Sequence, residues 1–359
     1  MNKYKFFVTI SLVFLALFAL SNLAIWKLYT EKLIGKGYCE RVGGLSRIGY
    51  VFDVMECRAS FVDLPQKHWE LEDFPGGQVD VITLGDSFAN GGVKGRNPYF
   101  QDYIASRHNL KVLNLNPQLF SIYRGEVSNF LALSAVLLNS GWLEKYKPKY
   151  FLIECVERNC IDDFARNINF LKTASFEEIE KFNKINRNDN FGEDRFINNG
   201  NFKFLLYNLL YHFDDNAFYS LVYVRKLNQS LFSGPNGNKF LFYHIDIERT
   251  RKATDQAIKK LNDNFNTLAE KMAEKNIKLI FMPAVDKFNL YYDNILKNRY
   301  APSVFFEKLR KLPKKYYFVD TKEILLKEIK KGEKDIYYQD DTHWSWKGSQ
   351  AIINHLKFE

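Results

Sequence analysis

Residues 6–26, between Lys5 and Lys27, carry no charge. A helix of 21 residues spans about 30 Å, the hydrocarbon thickness of a bilayer. This run constrains the fold more than any other feature, because the chain must give it a lipid or an equally apolar surrounding. Its few polar residues (Thr9, Ser11, Ser21, Asn22) can bond to their own helix carbonyls. Trp26 and Tyr29 stand where an interfacial aromatic belt would lie. The alternative is a cleaved signal peptide, with a shorter apolar core and a small-x-small exit. Here the run ends in Trp-Lys-Leu-Tyr, and no cysteine follows closely enough for a lipoprotein site. Residues 1–29 therefore read as an uncleaved signal-anchor. Lys3 and Lys5 flank one side and Lys27, Lys32 and Lys36 the other, so charge does not set the orientation.

Export is favoured by the cysteines, which fall into two close pairs, Cys39 with Cys57 and Cys155 with Cys160. A Cys39–Cys57 bridge would close a loop of 17 residues and contribute about 3 kcal/mol. The alternative is four buried thiols. Neither pair has zinc spacing, and no metal or cofactor is expected.

Residues 30–78 show little periodicity and read as a juxtamembrane segment. From residue 79 the pattern changes, and 79–359 reads as one α/β domain. Val-Asp-Val-Ile-Thr-Leu (79–84), Lys-Val-Leu-Asn-Leu-Asn (111–116) and residues 150–154 have the apolar, β-branched character of buried parallel strands. A helix is predicted over 125–143. An aromatic helix candidate (202–213) and a hairpin signal at Gly234-Pro-Asn-Gly-Asn mark an insertion at about 165–250. The α/β rhythm resumes with an amphipathic helix over 253–275. A strand follows over 277–282, ended by Pro283, and another over 317–320. The last helix covers 346–356 behind an N-cap at Ser345. Strands alternating with helices predict a central parallel sheet in a three-layer arrangement. The net charge of +9 comes from lysines interleaved with Glu and Asp, as on solvated helix faces, and no nucleic-acid motif accompanies it.

Gly85-Asp86-Ser87 stands where a buried strand ends. A serine there is exposed at the carboxyl edge of a parallel sheet, where open α/β folds place their sites. Far downstream, residues 338–348 read Tyr-Gln-Asp-Asp-Thr-His-Trp-Ser-Trp-Lys-Gly. A serine hydroxyl needs an imidazole to take its proton and a carboxylate to orient that imidazole. Ser87, His343 and Asp341 fit these roles, with Asp340 as the alternative orienter. The other histidines, His68 among them, lack such a setting.

These residues resemble the SGNH, or GDSL, hydrolases, which set the nucleophile in a Gly-Asp-Ser block and pair Asp with His in one late block. Two further stretches narrow the resemblance. Lys147-Pro-Lys-Tyr-Phe-Leu-Ile-Glu-Cys-Val-Glu-Arg is similar to the strand ending in Glu-x-x-Glu-Arg of the alginate O-acetylation proteins. Met282-Pro-Ala-Val-Asp-Lys-Phe-Asn-Leu-Tyr is similar to their Pro-x-Lys-x-x-x-Tyr segment, with Pro283 and Lys287 two residues further apart. In those proteins the Asp-x-His block precedes the serine; here it follows, so a circular permutation would relate the two. The SGNH Gly-x-Asn-Asp block is absent, and Glu154-Cys-Val-Glu157-Arg158 stands near its place. Gly125 is the candidate second-block glycine. Arg158 could stabilise the oxyanion or hold the acyl donor; its structural alternative is an ion pair with Glu154 or Glu157.

The resemblance implies an O-acyltransferase, most simply O-acetyl, acting on a cell-envelope or secreted polysaccharide. It implies a polytopic membrane-bound O-acyltransferase as partner. It also implies a single-pass place in the bacterial plasma membrane, with the catalytic domain periplasmic or otherwise extracytoplasmic. Two other functions stay open at this point: an SGNH esterase that removes acyl groups, and a non-catalytic polysaccharide-binding or scaffold protein on the same fold.

Overall fold

Six parallel strands form the main sheet in the computed structural model, which describes residues 3–38, 42–54, 63–91, 99–123, 127–183 and 192–358. The chain divides into two compact units. One comprises Arg58–Asn186, His244–Tyr338 and His343–Glu359; the other comprises Met1–Cys57, Arg187–Tyr243 and Gln339–Thr342.

The larger unit holds the sheet. Its strands are β1 (Trp69–Glu70), β2 (Val81–Leu84), β3 (Val112–Leu115), β4 (Tyr150–Val156), β7 (Lys278–Ala284) and β8 (Tyr317–Phe318), ordered β1-β3-β2-β4-β7-β8. Every residue of β2, β3 and β4 is buried, as expected for strands covered on both faces. Helices Phe100–His108, Thr321–Lys330 and Trp346–His355 pack together as one group, and Phe130–Asn139, Glu157–Phe164 and Asp255–Ala273 as another. Asn129, Thr254, Asp320 and Ser345 cap their helices with side-chain oxygens on backbone N–H groups, so four of these starts are fixed locally. Between β7 and the second helical group, the rings of Phe265 and Phe281 stack with centroids 3.9 Å apart.

The structure differs from the sequence reading in several details, among them the helix read over 125–143, which runs Phe130–Asn139, and helix Gly44–Gly49 in the segment of little periodicity. The strand expected to end before Pro283 runs on to Ala284, with Pro283 opposite Cys155 of β4. Its other neighbour, β8, pairs only with Ile280 and Phe281, so Pro283 sits on a stretch flanked by one strand, where a missing N–H is tolerated. The segment read as featureless contributes β1, a two-residue edge strand beside β3.

The smaller unit is built on the N-terminal helix. Lys3–Ile25 is α-helical and continues through a π-helical turn, Trp26–Thr30, into Glu31–Ile34. The helix is long and apolar enough to cross a membrane, and its apolar window is bare of protein. Burial begins abruptly at Trp26, followed by Thr30 and Leu33. Trp26 is therefore packed into the protein rather than placed at a lipid interface. Leu33 joins Val42 and Phe204 in one apolar cluster. The hairpin β5 (Val222–Lys226) and β6 (Lys239–Tyr243) forms as the Gly-Pro-Asn-Gly signal predicts, and contributes Val222 and Leu241 to a second cluster with Leu45, Val51 and Val54. Helix Asn199–Leu210, capped by Asn198, completes the unit.

Candidate active site

The sheet order sets the position of the site. From β2 the chain crosses to β3 on one side and later to β4 on the other, so the carboxyl end of β2 is the point where the connections diverge. Ligands of open α/β sheets bind at such a point. Ser87 lies there, exposed, three residues after Leu84.

The turn carrying Ser87 is held from behind. Asp86 accepts the Phe88 N–H at 3.0 Å with one carboxylate oxygen and the Val156 N–H at 2.8 Å with the other, tying the turn to the end of β4. The Asp86 N–H donates to Glu154 at 3.1 Å. Glu154 is fully buried, and burial together with the nearby Asp86 pushes its carboxyl well above the usual range. Gly85 is required by this approach: a Cβ there would lie 2.6 Å from Glu154 Oε2 and 2.7 Å from the Ala89 Cβ. Asn90 donates to the carbonyls of Gly85 and Asp86, and Asn114 of β3 donates to Asn90.

Ser87 Oγ is 2.8 Å from His343 Nε2. His343 is buried, with the Phe88 ring 4.6 Å away, and Phe88 also meets Trp344 edge-on. The strand-like pairing of Tyr337 with Trp344, and the Tyr338 N–H donating to the His343 carbonyl, frame the stretch bearing this histidine. The buried ammonium of Lys287 donates to the Tyr338 carbonyl at 2.7 Å. The sequence signalled Lys287 only through a motif; its contact is with the base of the histidine stretch.

The two aspartates before His343 are also anchored. Asp340 and Asp341 are buried, and each accepts a backbone N–H at 2.7 Å, from Gly43 and Gly44 respectively. These partners are 297 residues away in sequence, and no local signal announced them.

Arg158 departs from the sequence reading. Its partners are Asp286 at 2.6 Å and Asp246 at 3.3 Å, not Glu154 or Glu157. Burial works against its charge, but the two aspartates outweigh it and push the guanidinium pKa up. Glu157 faces a separate set of donors: the Asp286 N–H, the Asn289 amide and the Ser303 hydroxyl. The Glu-x-x-Glu-Arg stretch thus supports the Ser87 turn at Glu154 and a buried polar cluster at Glu157 and Arg158. Gly125, Cys39 and Cys57 lie outside the described residues. Cys155 and Cys160 are free, buried thiols. Burial raises both, Cys160 to about 11, so they stay protonated and inert.

His68, set aside in the sequence, sits between two carboxylates. Nδ1 is 2.7 Å from Asp102 and Nε2 is 3.1 Å from Glu70. Burial opposes its charge, but hydrogen bonds to both acids raise its pKa to about 9. With both ring nitrogens engaged, it is a held cation rather than a base. Among the described residues, no group of three or more His, Cys, Asp or Glu side chains is arranged to hold a metal ion.

Residues 237–356 match the family model ALGX, an SGNH hydrolase-like domain of the acetyltransferase AlgX. The match runs from the hairpin to the last helix and includes His343; Ser87 lies upstream of it. No curated protein matches the chain. The chain thus contains an SGNH-like domain, a parallel sheet surrounded by helices, of a kind that serves acyl transfer and ester cleavage.

Proposed function

We propose that this protein is a membrane-anchored O-acyltransferase that acetylates a cell-envelope or secreted polysaccharide outside the cytoplasm, through an acyl ester on Ser87. The observation that carries this reading is the 2.8 Å contact between Ser87 Oγ and His343 Nε2 at the divergence point of the sheet. His343 Nε2 takes the hydroxyl proton as Oγ attacks the acyl carbonyl. The tetrahedral intermediate collapses, the bond to the donor's oxygen or sulfur breaks, and that leaving group takes the proton from His343. In the second half a sugar hydroxyl gives its proton to His343 and attacks the serine ester, releasing acetylated sugar and free Ser87. The Ser87 N–H is assigned to the developing oxyanion. Asp341 is assigned to orient the imidazole, because one short stretch supplies both residues. Arg158 is left out of the reacting set, since its guanidinium is committed to Asp246 and Asp286.

Anchoring by an uncleaved helix is supported by what cleavage would remove: Asn22, inside the uncharged run, is hydrogen-bonded to Asn201 of the smaller unit. The anchor would keep the domain beside a polytopic membrane-bound O-acyltransferase that supplies the acyl group, the partner implied by resemblance.

Ser87→Ala and His343→Ala should each abolish polymer acetylation, because removing a triad member costs several powers of ten in rate. Asp341→Ala should be far more damaging than Asp340→Ala. An activated acetyl ester should add one acetyl mass to the Ser87 peptide of the wild-type protein. Wild-type acetylation by Ser87→Ala would refute the catalytic reading. An acyl-enzyme that passes its acetyl only to water, with every sugar acceptor offered, would make the protein an esterase.

A further inference from the structure

The N-terminal helix is bare over its apolar window, and burial begins at Trp26. Helix Asn199–Leu210 begins beside it. Asn201 donates to the carbonyl of Asn22 at 3.2 Å and to its side chain at 2.9 Å, and it accepts from Thr30. Tyr29 stacks on Phe204 with ring centroids 4.8 Å apart. Asn22 is four residues before Trp26, the first buried residue, or about 6 Å along a helix axis. Helix Asn199–Leu210 is therefore fixed alongside the last bare turn of the anchor.

The outward side of this helix is apolar. Phe202, Leu205, Leu209 and Phe213 follow one another at spacings of three and four residues, and are 67%, 53%, 58% and 74% exposed. That spacing places them in one stripe. The chain then turns through Ala217 and Phe218, both left-handed with φ of 49° and 64°, a conformation that bulky residues rarely adopt. Phe218 and Tyr219 are both left exposed there. A soluble surface seldom shows so many large apolar side chains together.

We infer that helix Asn199–Leu210 and the turn after it lie in the bilayer surface, with the Phe202–Phe213 stripe in the boundary between acyl chains and headgroups. The occupant is lipid because the helix bearing the stripe is held by hydrogen bonds to Asn22, inside the anchor's uncharged run, and by the stacking of Phe204 on Tyr29. Aromatic residues favour that depth, and an in-plane apolar helix buries its face there. The smaller unit would then be fixed to the membrane at two places rather than hung from one helix. This inference rests on the anchor reading above.

The test places benzoylphenylalanine in the full chain, one position at a time, at Leu205, Phe213, Phe14 and Lys259. Each variant is reconstituted in vesicles of phosphatidylethanolamine and phosphatidylglycerol and irradiated. Phospholipid adducts are expected at Leu205 and Phe213 as at Phe14, with none at Lys259, which lies on an exposed face of the other unit. Adducts at Phe14 without any at Leu205 or Phe213 would overturn the inference and leave the anchor standing. No adduct at Phe14 would sink the anchor reading, and the inference with it. In native membranes, crosslinks from Leu205 to protein in place of lipid would also overturn it, since a protein would then cover the stripe. Retained acetyl-enzyme formation on Ser87 reports that each variant is folded.

Discussion

Asp86→Asn tests how the turn carrying Ser87 is held. In the native turn one carboxylate accepts two backbone N–H groups, Phe88 at 3.0 Å and Val156 at 2.8 Å. Asparagine keeps one acceptor oxygen and turns an NH₂ toward the other N–H. A hydrogen bond to a charged group is worth about 1.5–3 kcal/mol, and a buried N–H left without an acceptor costs about as much again. Partial relaxation of the turn offsets some of this, so a loss of roughly 2–4 kcal/mol is expected. For a unit of this size that corresponds to a fall of roughly 5–10 °C in the unfolding midpoint. Tilting the turn also shifts Ser87 Oγ from His343, and displacements near 1 Å cost on the order of 100-fold in rate. The assay is thermal unfolding by circular dichroism in detergent, together with the acylation burst with p-nitrophenyl acetate. Glu154→Gln is the paired control: a buried carboxyl whose pKa is pushed up is replaced by a neutral group of the same shape, which still accepts the Asp86 N–H. It should change both readouts little. If Asp86→Asn unfolds at the wild-type temperature with a wild-type burst, or if Glu154→Gln is equally damaging, the account of the turn is wrong.

His68 makes stability depend on pH in the alkaline range. Its folded pKa of about 9 lies above the ordinary 6.5, so its contribution is complete below about 6.5 and is lost as pH rises through about 9. The full difference is on the order of 3 kcal/mol. Denaturant unfolding should show wild-type stability declining between pH 7 and 10 more steeply than that of His68→Gln, and parallel profiles would refute the assignment. Cys155 and Cys160 should resist iodoacetamide in the folded protein and label fully once it is unfolded. Rapid labelling of the native protein at pH 8 would contradict their burial.

What the sequence disclosed follows from the range of each interaction. Strands β2, β3, β4 and β7 were visible because a doubly covered parallel strand writes its burial into consecutive residues. The helix Asp255–Ala273 was visible through its periodicity. Strand β1 was not, since two residues, Trp69 and Glu70, hold no pattern. Pro283 misled because its effect on a strand depends on whether a neighbour lies on that side, which only the assembled sheet decides. In the site, Ser87 and His343 were legible because their chemistry demands a particular setting. The partners of Arg158 were not: Asp246 and Asp286 lie 88 and 128 residues away, and closer acids made the more obvious pair. Trp26 looked like an interfacial residue because composition does not reveal where a helix stops being bare.

The two margins of the main sheet have a consequence for self-association. Both β1 and β8 are only two residues long. Each offers a passing strand a rung or two of backbone hydrogen bonding, too little to seed a ladder between copies. The long strands β4 and β7, seven residues each, pair with each other along their whole length, and the stretch of β7 beyond β8 carries Pro283, which offers no N–H to a passing strand. Chains folding next to one another thus meet blunt borders, and the architecture resists fibre-like self-association.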